Sequence, residues 1–136
     1  MVRRAERPEH LAHPVRQPRD LGGGARPEPS ATVRARVERA RSCQRRRGVG
    51  VGASCNARLP GQALEREGAV GAEARALLVS AADRLGLSAR AFYRVLRVAR
   101  TIADLEEDAC VAAGHVAEAL RYRPVPTRMA VPAAPP

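Results

Sequence analysis

The chain has 136 residues and a formal net charge of +10, and this length allows at most one ordinary domain. Alanine supplies much of its 45% of hydrophobic residues, and with one Phe, two Tyr and no Trp the chain lacks the side chains that usually dominate burial. This composition excludes a large core, and no apolar run approaches the roughly 18 residues of a membrane span, so we expect a small, soluble and unexported protein.

Residues 1–29 are rich in proline and arginine and show neither a helical nor an alternating period. This pattern predicts a disordered N-terminal segment. His10 and His13 have a spacing that a metal ion on a helix can use, but prolines flank them and no third ligand is near. We therefore expect no metal site.

Residues 30–47, SATVRARVERARSCQRRR, predict a basic connector helix. Ser30 follows a proline and is a suitable capping residue, and Gly48 is the residue type that favours a helix C-terminus. The apolar residues Val33, Val37 and Ala40 form only a narrow strip along it. Arginines surround this strip on the remaining faces.

Two interpretations of this helix stay open. It can lie along a phosphate backbone and contact nucleic acid through Arg45, Arg46 and Arg47, or it can be a solvated connector. Charge does not decide between them, because all 24 basic residues are arginine, which with abundant Ala, Gly and Pro is also typical of a GC-rich genome. The excess charge lies in the first half: residues 1–58 hold 14 Arg and 5 acidic residues, a net charge of +9.

Residues 48–57 predict a flexible linker. Their sequence GVGVG is neither preceded by a strand nor followed by a lysine, and the chain contains no lysine at all, which excludes a Walker-type phosphate loop. Cys43, Cys55 and Cys110 show no CxxC spacing, so neither a disulfide framework nor a zinc site is indicated. A reduced, cytoplasmic location is expected.

Residues 58–123 predict a helical domain. A short helical turn is expected around residues 62–67, and from Ala72 apolar residues recur at helical spacing until Gly86 ends the helix. The link to the next helix is short, so the two helices should be close neighbours.

The longest complete helix signal covers residues 86–105, GLSARAFYRVLRVARTIADL, with Ser88 as its N-cap. At 100° per residue its apolar and polar residues fall on opposite sides. One side carries Phe92, Val95, Ala99, Ile102 and Ala103, and the other carries Arg90, Arg94, Arg97, Arg100 and Asp104. The first face should pack against the core, and the second should meet something polar.

An acidic connector and a last short helix around residues 114–121 complete the domain, and Pro124 stops that helix. Residues 124–136 are a proline-rich tail that should be disordered. The expected fold is therefore all-α: a small helical bundle with an additional N-terminal basic helix and disordered ends. A core of this size seldom supplies more than about 3 to 5 kcal/mol, so we expect a partner surface.

Several stretches resemble the C-terminal segment of the magnesium-chelatase-like AAA+ ATPases, the group that includes competence protein ComM and the chelatase I subunits. The similar stretches are PSATVRARVERAR, NARLPG, LLVSAADRLGLS, SARAFYRVLRVARTIADL and HVAEALRYR. Together they cover roughly residues 29–123, and the sequence of the long helix most resembles the competence-type branch.

The resemblance implies a helical lid that follows an α/β nucleotide-binding core. It places the sensor-2 arginine of the family at Arg90, within Ser88, Ala89 and Arg90, where a guanidinium on a helix start can bridge to the γ-phosphate. Arg94 and Arg97 lie on the same face and are expected either to support Arg90, to meet a neighbouring subunit or to be an exposed basic stripe.

Three functions remain as hypotheses. The first is a detached lid, from a truncated or split gene, which is not an enzyme on its own because the Walker A and B motifs are absent. It would use ATP and Mg only with an AAA+ core supplied in trans, and its partners would be that core or neighbouring ring subunits. The second is a small DNA-binding or other nucleic-acid-binding protein acting through residues 34–47, and the third is an inert gene product.

Overall fold

Five segments of the chain form α-helices in the computed structural model, which describes residues 27–123. Two single turns of 3-10 helix, Val49–Val51 and Asn56–Arg58, lie between the first two helices, and the described range contains no strand. The predicted all-α bundle is thereby confirmed, whereas the predicted disorder of residues 1–26 and 124–136 lies outside the described residues. The helices are α1 (Ser30–Gly48), α2 (Gly61–Glu67), α3 (Ala72–Leu85), α4 (Ala89–Leu105) and α5 (Ala113–Arg121).

The start of α4 follows the predicted cap. Ser88 accepts a hydrogen bond at its Oγ from the amide of Ala91 at 3.2 Å, which satisfies one of the unpaired amides of the first turn. Gly86 ends α3 with a φ of 59°, a left-handed conformation that glycine adopts without strain. The short link makes α3 and α4 neighbours, and α5 packs more extensively against both than they do against each other.

The core is built on the predicted apolar face of α4. Val95, Ala99, Ile102 and Ala103 are buried, Phe92 is partly buried, and Leu96 joins them. Side chains from α2, α3 and α5, from the segment before α2 and from the loop after α4 complete this core. They are Ala53, Leu59, Leu64, Ala74, Leu78, Val111, Val116 and Ala119.

The beginning of α1 differs from the prediction. Ser30 is the first helical residue, the N-cap position belongs to Pro29, and no side chain caps this end. The carbonyl of Pro29 accepts from the amides of Thr32 and Val33 instead, at 3.0 and 3.2 Å. The expectation of a capping serine was therefore wrong, because a proline carbonyl already closes the first turn.

The end of α1 at Gly48 is confirmed, but glycine acts there through size and not through a left-handed conformation. Its φ is −84°, and a Cβ at this position would lie 1.7 Å from the carbonyl oxygen of Ala53. The amide of Ala53 donates to the Gly48 carbonyl at 3.0 Å. The chain therefore turns back closely at the end of α1, and the segment 48–57 contributes the buried residues Ala53 and Asn56.

Within residues 27–123, no helix is long and apolar enough to cross a membrane.

Between residues 27 and 123, two residues other than glycine adopt a left-handed conformation. Ala69, between α2 and α3, has a φ of 47°, and Glu107, after α4, has a φ of 63°. The left-handed region costs an L-residue roughly 1 to 2 kcal/mol. Other contacts must therefore hold the loop between α2 and α3 and the loop after α4 in these conformations.

We expect Ala69→Gly to raise the free energy of unfolding by about 0.5 to 1 kcal/mol, because glycine removes the strain at this φ and the backbone hydrogen bond from Val111 to the Ala69 carbonyl stays intact. Urea unfolding of the purified chain measures this change. The matched control is Ala76→Gly on the exposed face of α3, which should lower stability by a similar amount. Destabilisation by both variants would contradict strain at Ala69.

Candidate functional site

The predicted sensor arginine lies at the exposed start of α4. Arg90 is in the first helical turn, directly after the Ser88 cap, and Arg94 is exposed one turn further along the same face. Among residues 27–123, neither guanidinium has a hydrogen-bond partner or an ion-pair partner in the fold. The structure therefore places Arg90 and Arg94 side by side on the surface, at the end of a helix whose start is fixed.

The arginine stripe turns inward at Arg97. This side chain is half-buried, and its Nε and Nη2 donate to the Leu59 carbonyl at 3.3 and 2.9 Å. Leu59 itself is buried in the core. Arg97 thus holds the loop before α2 against α4, and its guanidinium serves the chain's own backbone.

Arg100 is the most deeply buried arginine of the described chain, with 1% of its side chain exposed. Its Nη1 donates to the carbonyls of Gly68 and Ala109 at 2.8 and 3.0 Å, and its Nη2 donates to the Asp108 carbonyl at 2.6 Å. Its Nε donates to Asp104 at 3.0 Å. One side chain therefore fixes the loop after α2 and the loop after α4, next to the two left-handed residues.

The carboxylate of Asp104 accepts hydrogen bonds from two arginines and from one side-chain amide. Arg47 from the end of α1 binds both carboxylate oxygens, with Nη2 to Oδ1 at 2.7 Å and Nη1 to Oδ2 at 3.0 Å. Asn56 donates to Oδ2 at 2.8 Å, and Arg100 approaches Oδ1 from the other side. Burial alone would raise the pKa of Asp104, but the hydrogen bonds from Arg47 and Asn56 and the charges of both arginines hold it below its ordinary value of 3.8.

The stretch NARLPG gains a structural role from these contacts. Asn56 accepts from Arg47 Nη1 at 2.8 Å and donates to the hydroxyl of Thr101 at 3.2 Å, so its amide links α1 to α4. Gly61 lies directly under the ring of Tyr93, where a Cβ would be 2.7 Å from two ring carbons. Asn56, Leu59 and Gly61 of this stretch therefore each contact a different residue of α4.

The three arginines that were predicted to contact nucleic acid lie in two different environments. Arg45 and Arg46 are exposed on α1, and Arg46 donates to Ser42 and Cys43 of its own helix. Arg47 points the other way, with 12% of its side chain exposed in the pair with Asp104. Three consecutive arginines thus have two environments, and only the first two are directed to solvent.

A sequence signal for the burial of Arg47 existed. Arg47 continues the strip of Val33, Val37, Ala40 and Gln44 at alternating steps of four and three, which is the spacing of one helix face. The expectation that Arg100 and Asp104 meet something polar was sound, but the polar partner is the chain itself.

Three side chains after α4 approach one another closely enough to suggest a metal site. Atoms of Glu106, Asp108 and His115 lie within 4.8 Å of each other. However, His115 Nδ1 accepts from the amide of Ala112 at 2.9 Å, which leaves the ring proton on Nε2, where it points to Glu106 and Asp108 at 3.0 and 3.1 Å. A metal ligand needs a lone pair at that nitrogen, so this cluster caps α5 and does not have the donor set of a metal site.

Residues 27–123 match the family described as magnesium chelatase, subunit ChlI C-terminal. The chain is similar to competence protein ComM of Haemophilus influenzae, with 40% identity over 100 residues, which are 74% of this chain and 19% of that protein. It is also similar to uncharacterized protein YifB of Salmonella typhimurium (39% identity) and of Escherichia coli (37% identity), over 72% of this chain and 19% of each relative. The chain thus spans about a fifth of the length of these relatives. No solved structure matches it.

The buried carboxylate predicts an acid-dependent loss of stability. The folded pKa of Asp104 is below 3.8, so its contribution is complete above about pH 5 and is lost as the pH falls through the folded pKa. At pH 7 we expect Asp104→Asn to lower the free energy of unfolding by about 3 to 5 kcal/mol, because it leaves buried guanidinium charge without a carboxylate.

Urea unfolding at neutral and acidic pH measures this effect, and the difference between Asp104→Asn and the wild type should shrink as the pH falls. Asp83→Asn on the exposed surface of α3 is the control and should behave as the wild type at each pH. A difference that stays constant down to low pH would contradict the role of an ionised Asp104.

Proposed function

The chain belongs to the family of the magnesium chelatase subunit ChlI C-terminal domain, and from this premise we propose that it acts as the helical lid of an ATP site and contributes Arg90 to nucleotide sensing. The nucleotide-binding core is supplied by another part of a longer protein or by another chain. In this role the domain is not an enzyme on its own, and ATP and Mg bind only when the core is present.

One observation carries this proposal: Arg90 is an exposed guanidinium on the first turn of a helix that is fixed at both ends. The Ser88 cap fixes the start, and the buried pair of Arg100 and Asp104 fixes the last turns. A guanidinium on such a helix keeps its direction, and the planar fork of arginine binds two phosphate oxygens at once. Exposure and rigidity together are what a phosphate sensor requires.

The mechanism follows from the stiffness of α4. When the γ-phosphate is present, Arg90 forms charge-assisted hydrogen bonds to it and holds the lid close to the core. Hydrolysis removes that contact, and the lid relaxes as a body because α4 is tied to three loops. Arg94, one turn further along, adds a second cation to the same face or meets a neighbouring subunit. Arg97 acts as a positioning residue through its bonds to Leu59.

We expect Arg90→Ala to lower ATP turnover by about 100-fold in a reconstituted mixture of this chain and a nucleotide-binding core of the family, because removing one donor to a developing charge costs about that much. Steady-state phosphate release measures turnover. The control is Arg84→Ala, which removes an exposed arginine from α3 and should leave turnover unchanged.

Three results would reject the lid hypothesis. One is ATP hydrolysis at full rate by the core without this chain. Another is equal turnover with wild-type chain and with Arg90→Ala, provided that circular dichroism shows both to be folded. Robust hydrolysis by the 136-residue chain alone would also reject it.

A second function is supported by the surface of α1. At 100° per residue, Arg34, Arg41 and Arg45 point within about 40° of one another, and all three are exposed. Together with the exposed Glu38, which lies on the same face, they form a stripe of net charge +2 along three turns of the helix, and such a stripe can follow a phosphate backbone. We propose DNA or another nucleic acid as the partner of this stripe. Arg46 points about 100° away from Arg45 and is not part of this stripe, and Arg47 is engaged with Asp104.

The stripe predicts that nucleic-acid binding depends on salt concentration. If the three arginines contact phosphates, the logarithm of the association constant should fall with the logarithm of salt concentration, and replacing all three by glutamine should flatten that slope by about 2 to 3 units. Fluorescence anisotropy of a labelled duplex across a salt series measures both slopes. Replacing Arg66, Arg84 and Arg121, which are exposed on other helices, is the matched control. No binding at low salt would end this hypothesis.

A further inference from the structure

We propose that α1 is a hinged arm, which undocks from α4 as a unit by opening the Arg47–Asp104 pair and turning at residues 49–52, while the rest of the bundle stays folded. The inference goes beyond the lid and nucleic-acid functions and depends on neither of them. It rests on the contacts of α1, on the charges around Asp104 and on the segment that follows the helix.

The second half of α1 packs against α4, but few of its residues are buried there. Of its 19 residues, only Ala40, Gln44 and Gly48 are buried. Val33 and Val37 continue the same face, yet they remain 40% and 41% exposed. Such a small apolar contact contributes little to docking, so the polar contacts of Arg47 decide whether the helix stays in place.

The second ion pair of α1 does not change this conclusion. Arg39 Nε lies 2.6 Å from Glu107 Oε1, but both side chains are 55% exposed. Water screens an exposed pair, and its net contribution is small. Arg47 is the one ionic contact of the helix within the described chain that reaches a buried carboxylate.

The charges around Asp104 favour a reversible opening. Arg47, Arg100 and Asp104 sum to one net positive charge in the docked state. When Arg47 leaves, Asp104 keeps its pair with Arg100 at 2.9 Å and its bond from Asn56, so no buried carboxylate loses all its partners. Burial lowers the pKa of Arg100, and the charge of Arg47 lowers it further, which indicates that the two guanidinium groups repel each other. Opening relieves that repulsion and hydrates Arg47.

The segment after α1 can act as the hinge. Gly50 has open space around the position of a Cβ, and Gly52 has a φ of 66°. Gly50 lies within the single turn of 3-10 helix, Val49–Val51, and Gly52 directly follows that turn. Glycine at each of these positions lets the backbone rotate there, and the opening also breaks the hydrogen bond from the Ala53 amide to the Gly48 carbonyl.

Native-state hydrogen exchange of the full chain, followed by NMR at several low urea concentrations, tests the arm. In the wild type, undocking removes the packing that stabilises α1 and lets its amides open, so the amides of residues 40–48 should exchange through an opening that is populated at least about tenfold more than the opening of α4 and α5. Equal protection of all these helices would overturn the proposal without any mutation.

Variants then test the latch and the hinge separately. Arg47→Met keeps the length of the side chain and removes its charge, and it should speed exchange of residues 40–48 about tenfold or more while α4 and α5 keep their rates. Arg45→Met, on the exposed side of the same helix, is the control and should have no effect. Gly50→Ala restricts the hinge and should slow exchange of α1. Faster exchange throughout the bundle in Arg47→Met, or unchanged exchange of α1, would overturn the proposal.

Discussion

The structure depends on the buried guanidinium of Arg100. Taking such a charge out of water is costly unless a counter-charge and hydrogen bonds replace the lost solvation. Here Asp104 supplies the counter-charge, and the carbonyls of Gly68, Asp108 and Ala109 accept the remaining bonds. Because those carbonyls belong to two different loops, satisfying one side chain also fixes the path of the chain before α3 and before α5. The left-handed residues Ala69 and Glu107 are tolerated because the loops around them are held in this way.

The same network sets the geometry of α4 as a whole. Asp104 extends the contacts of Arg100 to α1 through Arg47 and to the stretch before α2 through Asn56. The apolar face of the helix meets α3 and α5, so three sides of its last turns are in contact with the chain. Arg90, at the other end, is exposed on a helix whose last turns are held by these contacts. The proposed sensing arginine and the structural Arg100 therefore lie on one helix.

Helix positions could be predicted from the sequence because they depend on neighbours three and four residues apart. The Ser88 cap, the left-handed Gly86 and the apolar period of α4 are all local signals, and the structure confirms them. The buried pair depends on residues 57 positions apart, so no local signal states that Asp104 and Arg47 meet. Helical spacing does place Arg47 on a different face from Arg45 and Arg46. This becomes visible only when the apolar strip that begins at Val33 is continued through the polar Gln44. The roles of Arg90, Arg94 and Arg45 as ligand contacts stay predictions.

Within residues 27–123, the buried polar groups all have partners, whereas the surface exposes several apolar side chains. In that range no buried side-chain nitrogen or oxygen lacks a hydrogen-bond partner, so the network needs no group from outside. On α3, however, Leu77, Val79 and Leu85 remain 36%, 44% and 57% exposed, although the same helix buries Ala74 and Leu78. A domain with a closed polar interior can keep its shape when it moves as a body, and exposed apolar residues are suited to contacts that change during such a movement. A lid needs both properties, because it must transmit the state of a phosphate without deforming.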